Sequence, residues 1–206
     1  MGFYARYVAP RLIDWALGRP LFERERERAL APVYGDVLEV GFGTGLNLAH
    51  YPTAVRTLTA LDPADMLPGR VGARIARARF PVARAERTAE SLPFPDGRFD
   101  CVVTTWTLCT IPDAAAALGE MRRVLKPGGL YVFLEHGRSD DARVARRQDF
   151  LNPLWKRIGN GCNVNRPIGT LVREAGFAVT TLDRYVLPGE PRFGAEMYRG
   201  VATSGA

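Results

Sequence analysis

The 206-residue sequence predicts an α/β fold: a doubly wound sheet, mostly parallel with an antiparallel C-terminal strand, and helices on both faces. Three observations predict it. From residue 36 onward, short apolar runs alternate with helix-like segments, the pattern of a parallel sheet with crossover helices. One run, FDCVVTTWTL (99–108), is continuous and rich in β-branched residues, as a strand buried on both faces should be. Glycines cluster as GFGTG (41–45) directly behind the first strand-like run, where sheets of this kind bind ligands.

Each element has its own signal. MGFYARYVAPRLIDWAL places Phe3, Tyr4, Tyr7, Val8, Leu12, Trp15 and Leu17 at roughly helical spacing, which predicts a helix packed over the domain or over a substrate pocket. Charges at Arg6, Arg11 and Asp14 interrupt it, so it does not read as a secretory signal. A weak interfacial membrane contact is the minority reading of the same residues. Pro20 opens a second helix through LFERERERALA, with opposite charges three apart at Glu23–Arg26 and Glu25–Arg28. It reads as a solvated face without chemistry. Strand 36–40 (DVLEV) leads through the glycines to a helix start at 46–52, and strand 55–62 follows. Segment 64–79 is helical, its first half disturbed by Pro68 and Gly69, and 81–86 is a third strand. After strand 99–108 come helix 113–125, a stop at Lys126-Pro127-Gly128-Gly129, and strand 130–135. A long helix (140–158), a glycine-rich turn, a helix (167–175) and strands 178–187 and 195–202 complete the chain. Without repeats, low-complexity tracts or a linker, residues 1–206 read as one domain. Its parts are a helical cap (1–34), a core (35–135) and a tail of helices and the last two strands (136–206).

Bulk properties exclude more than they assign. The net charge is +6, but the 28 basic residues are scattered among 22 acids. No basic patch interleaves with aromatics as in single-strand binders, so no nucleic-acid partner is expected. The three cysteines, Cys101, Cys109 and Cys162, are odd in number and lack CxxC spacing. That argues against a disulfide framework or zinc site and for a reducing cytosol. No run reaches the ~18 apolar residues of a membrane span. With His50 and His136 the only histidines and far apart, no His/Asp/Glu ligand cluster is visible and no metal is expected.

The glycines permit positive φ and let a ligand lie against bare backbone. A helix starting after Gly45 would point free N–H groups at it. The spacing Gly41-x-Gly43-x-Gly45 departs from the dinucleotide GxGxxG, because Leu46 stands where the third glycine should be. Asp62, closing the second strand, can accept two hydrogen bonds from the vicinal hydroxyls of a ribose. That indicates a nucleoside without saying which.

DVLEVGFGTGLNLAHYP, TALDPADML, AESLPFPDGRFDCVV and EMRRVLKPGGLYVFLE, in that order, resemble the class I S-adenosylmethionine-dependent methyltransferases over roughly residues 36–135. The likeness is greatest to the small-molecule group that includes the ubiquinone/menaquinone methyltransferases. The resemblance implies a Rossmann-like core that binds S-adenosyl-L-methionine and releases S-adenosyl-L-homocysteine. It implies that Glu39 orders the glycine loop or the cofactor's amino group, and that Gly41, Phe42, Gly43, Thr44 and Gly45 wrap the methionine part. Asp62 would bind the ribose. Pro63, Ala64 and Met66 would flank the adenine, Thr88 and Ala89 would hold its edge, and Thr105 and Trp106 would lie beneath the sulfonium.

The tail EHGRSDDARVARRQDFLNPLWKRIGNGCNVNRPIG, with TLCTI (107–111), is similar to a narrower family, the alkyl-thiol methyltransferases of animals and their bacterial relatives. The matching features are Glu135-His136, Asn152-Pro153-Leu154-Trp155 and Gly161-Cys162-Asn163-Val164-Asn165-Arg166. The hydrophobic N-terminal anchor of the animal proteins has no counterpart, so a cytoplasmic location is expected. A thiol acceptor is then expected, with a quinol carbon or a phospholipid amine as the alternatives. A non-catalytic nucleoside- or nucleic-acid-binding module and an NAD-linked oxidoreductase are remoter ones. A thiol of pKa ~8.5 is a few per cent thiolate at neutral pH and needs only a modest base. His136 is the candidate base. Tyr4, Tyr7, Cys109, Trp155, Cys162 and Arg166 are the candidate acceptor-side residues, with Phe3 and Phe150 as further apolar wall. Arg166 either neutralises an acidic substrate or caps helix 140–158. The sequence is silent on oligomeric state.

Overall fold

The structure is a computed structural model and describes residues 8–64 and 66–205. Phe3, Tyr4 and Tyr7, which the sequence places over the substrate pocket, lie outside the described residues. Two helices, α1 (Ala9–Leu17) and α2 (Pro20–Leu30), precede the first strand. The remaining elements run β1 (Gly35–Val40), β2 (Val55–Leu61), α3 (Pro68–Ile75), β3 (Val82–Ala85), β4 (Phe99–Thr105), α4 (Ala114–Val124) and β5 (Leu125–His136). Then come α5 (Ala142–Ile158), α6 (Ile168–Glu174), β6 (Ala178–Val186) and β7 (Glu196–Thr203).

The strands form a seven-stranded sheet in the order β3-β2-β1-β4-β5-β7-β6. The pairings from β3 to β5 are parallel, and β7 runs antiparallel to both its neighbours. The chain moves outward from β1 to β3, then returns to place β4 on the other side of β1. That reversal opens a crevice at the carboxyl ends of β1 and β4.

Alternating residues of the central strands serve two cores. Leu38 and Val102 face a cluster with Leu118 and Met121 of α4 and Ile168 and Val172 of α6. Val37, Cys101 and Val103 face Leu30, Leu48, Tyr51 and Val71 on the other side. Helices thus cover both faces, as the uninterrupted apolar β4 requires. Leu118 and Phe133 are fully buried, so truncating either to alanine is expected to cost about 2–5 kcal/mol. A third cluster joins Phe22 and Ala29 of α2 to Leu134, Leu187 and Met197, with Leu17 and Trp106 against it. It seats the helical cap over the crevice.

Four local features differ from the sequence reading. The helix expected at 46–52 is a single 3-10 turn, Leu46–Ala49. Pro52 biases Tyr51 away from helical backbone and ends it there. The helix in 64–79 starts only at Pro68, at the first helical position that proline favours, after Leu67 at φ 46°. Strand β4 stops at Thr105, because Trp106 turns to φ 49°. Strand β5 begins at Leu125, through the expected stop signal, with a register shift against β4 that absorbs the Pro-Gly-Gly segment. In α1, Leu12 and Trp15 are 52% and 72% exposed, whereas the charged Asp14 is buried. No helix among the described residues is long and apolar enough to cross a membrane.

Candidate active site

The bend after β1 is held by its own backbone. The amides of Gly41 and Phe42 donate to the Leu61 carbonyl at 2.8 and 3.2 Å. Gly41 has φ 77°, and a Cβ there would lie 2.2 Å from Thr107, so its bareness is demanded by the chain's own packing. Gly43 differs. Its φ is 57°, but a Cβ would meet nothing nearer than the Gly41 carbonyl at 4.0 Å. Gly43 turns its amide to Asp62 Oδ2 at 2.7 Å, and Ala64 donates to Oδ1 at 2.9 Å. Burial raises the Asp62 carboxyl, and these two amides partly offset it.

Behind the loop lies a buried polar chain. Glu39 accepts from Asn47 Nδ2 at 2.9 Å and from the Tyr51 hydroxyl at 2.8 Å. Burial pushes its carboxyl up to about 7. Asn47 Nδ2 also lies 3.0 Å from Thr105 Oγ1, and Asn47 Oδ1 accepts from Arg26 Nε at 2.9 Å. Arg26 also donates to the Leu17 carbonyl at 2.7 Å, and its guanidinium sits 4.8 Å over the Trp106 ring. Burial lowers it to about 10, which leaves a cation at neutral pH. The α2 face is therefore not solvated throughout: Glu25 and Arg26 are both buried, and Arg26 belongs to the site.

The cap is latched by charge. Asp14 of α1 accepts from Arg70 at 2.5 Å and Arg74 at 2.6 Å, and Arg74 also donates to the Thr44 carbonyl at 2.7 Å. Burial pushes the Asp14 carboxyl up, but hydrogen bonds from Arg74, Thr44 and Arg70 outweigh it and hold it below its usual value.

Two cavities result. One, of about 400 Å³, is lined by Gly41, Phe42, Gly43, Thr44, Asp62, Pro63, Ala64, Met66, Thr88, Ala89, Thr105 and Trp106. The structure thus brings together most of the residues that the sequence assigned to a nucleoside cofactor. Glu39 and Gly45 are not in its wall. Glu39 works from behind through Asn47, and Gly45, at φ 78° against the Phe42 ring, shapes the turn. Sequence reasoning missed Arg26, Asn47 and Thr107, which also line it. The second cavity, about 450 Å³, is apolar, with Leu12, Phe22, Leu187, Phe193 and Met197 in its wall. Ile13, Leu17, Trp106, Thr110, Gly159 and Asn160 line both.

Four of the acceptor-side candidates, Cys109, His136, Trp155 and Cys162, line the apolar cavity. His136 Nε2 lies 3.2 Å from Cys162 Sγ, and Trp155 Nε1 donates to that sulfur at 3.3 Å. Hydrogen bonds from Cys109, His136 and Trp155 pull the Cys162 thiol well down. Burial pushes the His136 imidazole down, but the hydrogen bond and charge of Cys162, together with the charge of Glu135, outweigh it and raise it overall. His136 Nδ1 is buried without a partner. The sequence showed no ligand cluster, but the ligand atoms of Cys109, His136 and Cys162 all lie within 4.8 Å of one another. Two expectations fail. Arg166 neither lines the cavity nor caps α5; it donates to the Leu108 and Pro112 carbonyls and braces the loop after β4. Phe150 is 84% exposed and lies outside the apolar cavity, because α5 turns that face outward.

Residues 38–133 match the family model described as "Methyltransferase domain". Among curated proteins, human thiol S-methyltransferase TMT1A is 32% identical, over 82% of this chain and 71% of its own length. Rat thiol S-methyltransferase TMT1B is 33% identical over 71% of this chain. The phosphatidylethanolamine N-methyltransferase of Cereibacter sphaeroides is 32% identical, over 72% of this chain and 74% of its own. The match spans only 62% of the length of rat TMT1B and 64% of human TMT1B. In fold, the chain is similar to NodS from Bradyrhizobium japonicum WM9, crystallised with S-adenosyl-L-homocysteine (TM-score 0.67, 19% identity, 91% of this chain and 90% of that one). Sequence, sheet order and the glycine-loop crevice agree: the chain belongs to the class I S-adenosylmethionine-dependent methyltransferases.

Proposed function

We propose that this chain methylates a small apolar thiol, hydrogen sulfide or an alkyl thiol, with S-adenosyl-L-methionine seated in the glycine-side cavity. The observation that carries the reading is the common wall at Trp106: a nucleoside-sized cavity bounded by the glycine loop and Asp62 abuts a more apolar one across residues that line both. The residues fit the cofactor. Asp62 keeps carboxylate lone pairs for the ribose hydroxyls beside Gly43. Arg26 supplies a buried cation suited to an amino-acid carboxylate, and Met66 and Ala89 supply apolar surface for a base.

Bound there, the cofactor supplies a methyl group already attached to a good leaving group. The chain's task is to position the acceptor and exclude water, and such positioning supplies about 7–11 kcal/mol in favourable cases. The latch at Asp14 holds α1 over the wall common to both cavities. The acceptor's sulfur lone pair forms the new C–S bond, and its proton must leave. In a largely apolar wall, the hydrogen-bonded Cys162–His136 pair is placed to take it. The likeness to the thiol S-methyltransferases supports a thiol. The comparable likeness to the phosphatidylethanolamine enzyme favours a lipid amine as the second reading.

The test is incubation with methyl-labelled cofactor and, side by side, hydrogen sulfide, an alkanethiol, a demethylquinol and phosphatidylethanolamine vesicles. Label is expected in the thioethers. Transfer to the amine or quinol alone would overturn the thiol reading and leave the family assignment intact.

A further inference from the structure

The wall of the apolar cavity holds three soft ligand atoms that the fold brings from three separate places. Cys109 follows β4, His136 ends β5, and Cys162 follows α5. All three residues line the same cavity, and their ligand atoms lie within 4.8 Å of one another. A tetrahedral zinc ion with bonds of about 2.3 Å to sulfur and about 2.0 Å to nitrogen spaces its ligand atoms about 3.5–3.8 Å apart. His136 Nε2 and Cys162 Sγ stand at 3.2 Å and no pair exceeds 4.8 Å, so adjustments of about 1 Å or less bring the three to zinc spacing.

The cysteines are tied to each other independently of any ion. Asn163 donates from both its amide and its side chain to the Cys109 carbonyl, at 2.9 and 2.8 Å. Its side-chain oxygen is held in turn by Asn152 at 3.2 Å. The Trp155 indole N–H at Cys162 Sγ is a donor of the kind that supports a ligating thiolate. The segment Gly161-Cys162-Asn163 thus clamps one ligand against the loop that carries another.

From this geometry we propose that Cys109, His136 and Cys162 bind a thiophilic divalent cation, zinc being the natural choice, with its fourth position open to the apolar cavity. Three protein ligands plus one open position is the arrangement of catalytic rather than structural zinc. Binding releases two protons to solvent, one from Cys109 and one from the Cys162–His136 pair, and His136 then serves as a ligand and not as a base. The open position takes the acceptor's sulfur as a thiolate: the ion lowers the thiol's pKa and the proton leaves to solvent, which replaces the part His136 would otherwise play. This role for the open position rests on the thiol reading above; the ion site itself does not.

The test begins without cofactor or acceptor. Chelator-treated protein, residues 1–206 and kept reduced, is titrated with Co²⁺ and then with Zn²⁺ in competition. One equivalent of Co²⁺ is expected to give the intense d–d bands of a tetrahedral site and a thiolate-to-cobalt charge-transfer band, both abolished by Zn²⁺. Cys109→Ser and Cys162→Ser are expected to weaken binding by at least about 100-fold, beyond what loss of an outer partner costs. Cys101→Ser, in the other core, should bind as the parent does. Absence of the bands from the parent protein, or equal loss with Cys101→Ser, overturns the site. Adding hydrogen sulfide or an alkanethiol to the cobalt form is expected to shift the bands. Unshifted bands overturn acceptor coordination while the ion site stands. Calorimetry with S-adenosyl-L-homocysteine on the metal-free protein reports separately on the glycine-side cavity, so failure there is distinguishable from failure of the ion site.

Discussion

The two cavities flank one tryptophan and are built by opposite strategies. The glycine-side cavity sets bare backbone and apolar side chains beside polar groups that already have partners: Gly43 on Asp62, Asn47 on Glu39, Arg26 on Asn47. Its shape is fixed by strand ends that the sheet registers. The apolar cavity is made of side chains from α1, α2, α5 and β7 and from loops far apart in the chain, and its polar side chains, the two thiols and imidazole with Arg19, Thr110, Asn160 and Glu190, are a minority of the wall. A cavity of the first kind fixes one ligand's orientation. A cavity of the second kind fixes a class of ligand.

The contrast can be broken most sharply from the apolar side. His136→Gln is expected to lower kcat/KM for a thiol by about 10²–10⁴, the range of a positioned proton-handling group. Calorimetric affinity for S-adenosyl-L-homocysteine should be unchanged. A parallel fall in that affinity would mean that the two cavities are not separable. Asp62→Ala is the mirror experiment. Loss of a charge-assisted hydrogen-bonding group should weaken S-adenosyl-L-homocysteine binding by about 10- to 150-fold. Asp62→Asn should recover part of it, and thiol binding should be spared.

The latch joins the two regions, so its removal should touch both mildly. Asp14→Ala frees α1 from Arg70 and Arg74. Because Arg70 is 59% exposed, the effect should be near the exposed-pair limit, about 1 kcal/mol or about fivefold in affinity. Hydrogen–deuterium exchange of residues 9–17 should quicken, and no change in exchange would show that packing alone holds the helix.

The smallest effect sharpens the description of the polar side. Glu39 titrates at about 7 in the fold against an ordinary 4.5. Between those values the native state keeps a proton that the unfolded chain has released. Stability from this group is therefore full below the unfolded value and is lost as pH rises through about 7. Glu135, likewise raised to about 7 by burial, adds the same slope. Glu39→Gln should flatten part of the decline in urea midpoint between about pH 5 and about pH 8. An unaltered slope would remove Glu39 from the account.

The same contrast explains what the sequence discloses. The loop, Asp62 and Trp106 could be placed in advance because each sits at a strand end, and alternating strands are legible from periodicity; Thr88, three residues past β3, was legible only through the family resemblance. Arg26 could not. In LFERERERALA, a buried arginine and a solvated one look alike until Trp106 and Asn47 are placed against the helix. The three-residue ligand cluster was equally hidden, because residues 109, 136 and 162 share no spacing that a motif would register. Only the turn after β4, the end of β5 and the Asn163 clamp bring them together. Arg166 was misassigned for a related reason: a half-buried arginine near a site reads as a substrate contact unless the carbonyls it braces are known. The helix expected after Gly45 is one 3-10 turn, and the buried cation lining this cavity is Arg26.

Trp106 turns into the left-handed region where β4 ends, and its ring lies edge-on to Phe22 at 5.4 Å. Where Trp106 lines both chambers, one side chain shapes the two together. Widening either at this point thins the other, so a lineage changing its acceptor must recut the far wall, at Leu187, Phe193 or Met197, and leave the indole alone.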